Sequence, residues 1–177
     1  MPFAKIHPCL VVLLLAGPAI AQTTPAGEVE FAKGVGAAQA ASGTPRILSQ
    51  GVPIQPGDTV TMGSNSFAVL KLTDGTRMTL RPNTAIRFDQ YAYKEPGKPD
   101  GFFSSLFKGG VRMVTGLIAK SSPTAARLTT PTATVGIRGT DFDARLCSSD
   151  CASDASRIAQ QSGPANVAAS ARVAALL

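Results

Sequence analysis

Between Arg46 and Phe88 apolar and polar residues alternate with a period of two, and Gly, Pro, Asp or Asn breaks the alternation about every ten residues. A period of two puts successive side chains on opposite faces of a strand, so each short run buries one face and wets the other. Phe67 to Thr73 places Ala68, Leu70 and Leu72 together, and Thr76 to Leu80 does the same with Met78 and Leu80. Asp74-Gly75 between them is a two-residue hairpin signal, read as a type I′ turn with positive φ at both central positions. Pro56-Gly57-Asp58 and Pro82-Asn83 mark further turns. Val29 to Gln39 reads as a first strand, and Leu117 to Pro123 as a connection. Nothing in this stretch has helical periodicity, while Ser170 to Leu177 reads as a short helix or as a first strand of something further. The expectation is an all-β chain, a single compact domain of many short hairpin-linked antiparallel strands: a sandwich, a jelly-roll-like fold or a short β-solenoid.

The ends differ from this middle. Leu10 to Ala16 is a seven-residue apolar run behind Lys5, followed by Gly17-Pro18 and the small-x-small Ala19-Ile20-Ala21. These are the parts of a cleavable signal peptide spanning 1–21, cut after Ala21. The run is far short of the roughly 20 residues a membrane span needs, so no transmembrane segment is expected in the mature chain. Residues 22–45 read as a linker and first strand, 46–151 as the β domain, and 152–177 as an Ala/Ser-rich, low-complexity tail or the start of a truncated second module.

Export has a chemical consequence. The chain has one histidine, His7, which leaves with the leader together with Cys9. Triads that need an imidazole are then excluded, as are zinc sites of the usual Cys/His kind. Cys147 and Cys151 remain, in a C-x3-C spacing that an oxidising compartment favours as a short-loop disulfide. No cofactor and no metal is expected, and no enzymatic activity. A formal net charge of +6 fits anionic envelope polymers as partners, nucleic acid being out of reach of an exported protein.

Several residues look functional at first sight. Asp141, Asp143 and Arg145 share one face of a strand, and Phe142, Ala144 and Leu146 the other. Two carboxylates at i, i+2 can take a hard cation or pair with Arg138 or Arg145, and the pairing is the simpler reading. Asp141 with Asp143 or Glu95 is also a candidate pair for a carboxylate-only glycan hydrolase, which the i, i+2 spacing fits poorly. Gly57, Asp58, Asp74 and Gly75 are assigned to turn structure. Gly136, Gly139 and Gly109-Gly110 are assigned to close packing or bulges rather than to a phosphate loop. Arg77, Arg81 and Arg87 form a basic stripe facing water. Tyr91 to Phe103 reads as an exposed loop whose Tyr91, Tyr93, Phe102 and Phe103 either anchor a partner or pin the loop to the sheet.

The joint pattern resembles the FecR-type domain of bacterial envelope proteins. It is carried by Gly57-Asp58-x-Val60-x-x-Gly63, Ser66-x-Ala68-x-Leu70-x-Leu72-x-Asp74-Gly75-Thr76-x-Met78-x-Leu80, Pro82-Asn83-Thr84-x-Ile86, Lys108-Gly109-Gly110-Val111-Arg112 and Thr130-Pro131-x-Ala133-x-Val135-Gly136-Ile137-Arg138-Gly139-Thr140-x-Phe142. The resemblance implies a periplasmic or extracellular all-β module. In the best-known members one membrane helix joins it to a cytoplasmic anti-sigma region, and the protein relays an iron-siderophore signal from an outer-membrane transporter. The reading for this chain is a stand-alone secreted member lacking the anti-sigma and transmembrane portions. It would act as a non-enzymatic interaction module for another envelope protein or an anionic envelope polymer. The alternative is a retained signalling partner of a transporter and sigma regulatory system.

Overall fold

The computed structural model describes residues 24–147, apart from Pro123 and Thr140. The alternation becomes two sheets over a shared core. In chain order the strands are β1 (Gly27–Lys33), β2 (Gly36–Gln39), β3 (Arg46–Ile47), β4 (Pro53–Ile54), β5 (Thr59–Met62), β6 (Phe67–Leu72), β7 (Arg77–Leu80), β8 (Ala85–Ala92), β9 (Gly101–Lys108) and β10 (Gly110–Val114). The one-turn helix α1 (Leu117–Ser121) follows, then β11 (Ala126–Thr129), β12 (Thr134–Gly136) and β13 (Asp141–Arg145). One sheet has the order β13-β10-β7-β6-β1-β4, the other β12-β11-β9-β8-β5-β2-β3. We call them the six-stranded and the seven-stranded sheet.

The core is what the period of two dictates. Leu70, Met78, Leu80, Val111 and Met113 come from the first sheet, and Val60, Ile86, Phe88, Leu106 and Leu128 from the second; all are fully buried in a single cluster. Burying one such side chain contributes roughly 1.5–3 kcal/mol. Phe88 and Phe102 pack with ring centroids 5.9 Å apart, and Tyr91 meets Phe102 edge-on at 5.8 Å.

The all-β expectation holds, and three local expectations do not. The predicted first strand is two strands. Gly34, at φ 83°, turns the chain so that β1 joins the six-stranded sheet and β2 the seven-stranded one. Ala26, Val29 and Ala38 are fully buried, so this segment contributes to the core. The strands are not uniformly antiparallel: β11 runs parallel to β9, because α1 and its flanks carry the chain across from β10. The connection after β10 thus contains one helical turn. The leader, Cys9, Cys151 and the tail lie outside the described residues, so the expectations placed on them do too.

Candidate functional site

Asp74 sits at the tip of the β6–β7 hairpin, yet it is 2% exposed. The turn is not type I′. Gly75 donates to the Leu72 carbonyl and Leu72 to the Thr76 carbonyl, and only Gly75, at φ 86°, has positive φ. This is a three-residue loop closed by a glycine bulge. It frees the Asp74 side chain to turn inward, where Oδ1 accepts the Thr76 amide at 3.0 Å and Oδ2 the Thr76 hydroxyl at 2.8 Å. The Tyr91 hydroxyl donates to Oδ1 at 3.2 Å, and the Ile118 amide to Oδ2 at 3.3 Å. The Asp74 carbonyl takes the Leu117 amide, and the Thr76 hydroxyl takes the Gly116 amide. One aspartate therefore fastens the hairpin to β8 and to the start of α1. Burial pushes the Tyr91 phenol well above its ordinary value, with the neighbouring Asp74 adding to the rise.

Gly116 is the residue sequence reasoning missed here. A Cβ on it would lie 2.4 Å from the Asp74 carbonyl oxygen, so only glycine lets the chain pass the hairpin tip. A lone glycine before Leu117 gave no sign of this. The Gly109-Gly110 expectation is borne out: a Cβ on Gly109 would meet the Thr84 Cα at 2.5 Å. Thr84, fully buried, exchanges hydrogen bonds with both the amide and the carbonyl of Gly110. Gly136 differs, since its Cβ would meet open space and its φ is ordinary; nothing in the structure explains the glycine.

Asp58 is the second buried carboxylate, fully buried behind a Gln55–Asp58 turn with Gly57 at φ 89°. Its Oδ2 accepts the Gln55 amide at 2.7 Å and pairs with Arg46, a side chain 35% exposed. Oδ1 has no partner among the described residues. Gly57, Asp58, Asp74 and Gly75 are thus all engaged in turns.

The aromatic residues divide. Tyr91 and Phe102 are buried core residues, so they pin the loop and are not available to a partner; this corrects their candidacy as contacts. Tyr93 and Phe103 are half-buried, with Lys94 over the Tyr93 ring at 5.1 Å and Arg127 over Phe103 at 5.3 Å. Strands β8 and β9 extend into the predicted loop and shorten it to 93–100. Glu95 there pairs with Lys98.

In the 130–143 run, Thr130 closes a turn on Ala133 through backbone and side chain, and Pro131 is exposed. Ile137 is buried while Arg138 and Gly139 face water; Thr140 is outside the described residues. Phe142, Ala144 and Leu146 pack against the core, as their alternation requires. Asp141 and Asp143 face outward, but they pair with Arg112 and Arg81 across the sheet rather than with Arg138 or Arg145. The register explains it: β10 runs antiparallel beside β13 with Arg112 opposite Asp143, one diagonal step from Asp141. The hydrogen bond to Asp141 raises the Arg112 guanidinium above its ordinary value. The predicted basic stripe is also divided. Arg77 pairs with Glu30 and Arg81 with Asp143 on the six-stranded sheet, whereas Arg87 pairs with Asp89 on the other.

In a comparison with known families, the profile of the FecR protein family matches residues 58–162, more than half of the chain. The chain belongs to the FecR family. No curated protein and no solved structure matches it. The FecR match opens at Asp58 and takes in the Asp74 hairpin, the Thr84–Gly110 lock and the run from Thr130 to Phe142. A FecR domain is an envelope-associated module related to cell-surface signalling. Among the described residues of this one, no helix is long and apolar enough to cross a membrane.

Proposed function

We propose that this FecR protein is a non-enzymatic binding module, exported to the periplasm or cell surface, that holds another envelope component. The observation that carries the reading is how its carboxylates are spent. Asp58 and Asp74 are buried in turns, and Asp89, Asp141 and Asp143 are tied to arginines. Glycosidic hydrolysis needs an acid and a base facing one another across a sugar, about 5–10 Å apart. Each acid considered for that role from sequence, Asp141, Asp143 and Glu95, has a cationic partner of its own.

Export with cleavage after Ala21 and a Cys147–Cys151 disulfide belong to the same reading. Edge-strand augmentation is the simplest mode for a protein partner, because edge strands expose unpaired amides and carbonyls. Affinity capture from envelope extract, with the full chain as bait, tests the proposal. It is expected to retain a defined component over a range of salt. Capture of nothing above background, or glycan cleavage abolished by D141N, would overturn it. The intact mass of the exported protein, before and after reduction, checks the cleavage site and the disulfide.

A further inference from the structure

The two outer faces of the protein treat their arginines differently. On the six-stranded sheet Arg77, Arg81 and Arg112 each meet a carboxylate. On the seven-stranded sheet Arg87 lies over the Phe107 ring at 5.4 Å and Arg127 over the Phe103 ring at 5.3 Å. Arg127 has no carboxylate partner among the described residues. Arg87 spends only its Nε on Asp89, whose other oxygen is taken by the Ser105 hydroxyl. Both guanidiniums therefore keep terminal N–H groups available to an acceptor.

The strand register sets them in a surface that also carries hydroxyl residues. Thr129 on β11 lies opposite Ser105 on β9, Ser105 opposite Arg87 on β8, and Arg87 opposite Thr59 on β5. Adjacent strands are about 4.8 Å apart, so this row spans roughly 14 Å. Phe103 and Phe107 stand four residues apart on β9, roughly 13 Å along the strand. Phe107 is 46% exposed.

We infer that this outer face of the seven-stranded sheet binds a carboxylated polysaccharide, a deeper statement of the binding-module reading on which it rests. A cation–π contact restrains each guanidinium beside its ring while terminal N–H donors stay open, and the planar fork of an arginine matches a carboxylate with two parallel hydrogen bonds. Serine and threonine hydroxyls both donate and accept, as the hydroxyls of a sugar do. The exposed aromatic edges add apolar contact for the C–H surfaces of the ring. An extended polymer suits an open sheet face, where no pocket is needed.

The probe is a set of alginate oligomers, uronate chains, titrated calorimetrically into the full-length exported protein at low ionic strength. Wild type is expected to bind, more weakly as salt rises. R87Q/R127Q is expected to weaken binding about tenfold or more, while R77Q/R112Q on the opposite face stays within about twofold. R127K, which keeps the charge but loses the fork, is expected to fall between wild type and R127Q; it also serves if the double variant does not fold. Four results overturn the inference: no alginate binding, equal binding of neutral dextran, equal loss from the two faces, or tighter binding of single-stranded DNA. Failure with alginate while envelope extract still yields a partner would sink this inference alone. Failure of both would sink the binding-module reading as well.

Discussion

Asp58 and Asp74 are the same residue in the same kind of place. Each follows or precedes a glycine of positive φ in a tight turn, and each is buried, but they are buried to different ends. Asp74 distributes both oxygens over Thr76, Tyr91 and the Ile118 amide, so its bonds reach the end of its own hairpin loop, β8 and α1. Asp58 uses one oxygen, on its own turn and on an arginine that still reaches solvent. A buried carboxylate whose bonds spread over several elements is a tertiary tie; one that serves its own turn and a single arginine of β3 is a more local brace. The cost of deleting a hydrogen-bonding group lies in the partners it strands, so the two should separate sharply under mutation.

The largest effect is expected from Asp74→Ala. It leaves the Thr76 and Ile118 amides and the Tyr91 hydroxyl without their acceptor in a buried site. Broken buried networks account for the upper range of single-site losses, and we expect about 4 kcal/mol by denaturant unfolding. Asp58→Ala should cost about 2 kcal/mol, since it strands the Gln55 amide and takes away the ion-pair partner of the partly exposed Arg46. Equal losses would mean that the Asp58 brace also organises the core beyond its turn.

Tyr91→Phe probes the tie from the other side. It removes the hydroxyl that the Asp74 amide donates to at 2.9 Å and that bonds the Thr73 hydroxyl at 2.9 Å. We expect a loss of about 1 kcal/mol at neutral pH. The alkaline behaviour is more telling. The folded phenol titrates above its ordinary value, so above about pH 10 the unfolded chain has lost a proton that the folded chain keeps. Stability therefore falls as pH rises through that range. In the phenylalanine variant this component is absent, and the fall beyond pH 10 should be shallower than in wild type. An identical slope in both proteins would mean that Tyr91 is not held in its neutral form by the fold.

The asymmetry between the two aspartates also marks the limit of the sequence reading. Alternation gave the core nearly residue by residue, because burial on one face of a strand is a local property: Leu70, Met78, Leu80, Ile86 and Phe88 could all be placed. Glycine beside aspartate gave both turns. What each aspartate reaches was not legible, since Tyr91, Ile118 and Gly116 lie 17, 44 and 42 positions away or so in the chain and meet Asp74 only through the packing of two sheets. The same holds for Asp141 and Asp143, whose partners are set by the register of β13 on β10 and not by neighbours in sequence. Tyr91 and Phe102 looked like loop aromatics because Pro96, Gly97 and Pro99 dominate the composition around them. The strands run further into that segment than its turn residues indicate.

The smallest expected effect lies at the margin of the six-stranded sheet. Strand β13 has no fully buried residue; its inward side chains are only half-buried and its outward ones exposed. Its ion pairs to Arg112 and Arg81 are surface pairs, which solvent and salt screen and which contribute little to global stability. D141N/D143N should therefore leave the unfolding midpoint almost unchanged. It should nevertheless speed amide hydrogen exchange in Asp141–Arg145 relative to β10, because an edge strand with little apolar burial opens locally before the domain unfolds. If the exchange of β13 is unaffected, Phe142 and Leu146 alone hold the edge, and the ion pairs on this face are without structural consequence. If the whole domain is destabilised instead, β13 is coupled to the core as tightly as Asp74 couples the hairpin to α1, and the division between local brace and tertiary tie would have to be redrawn.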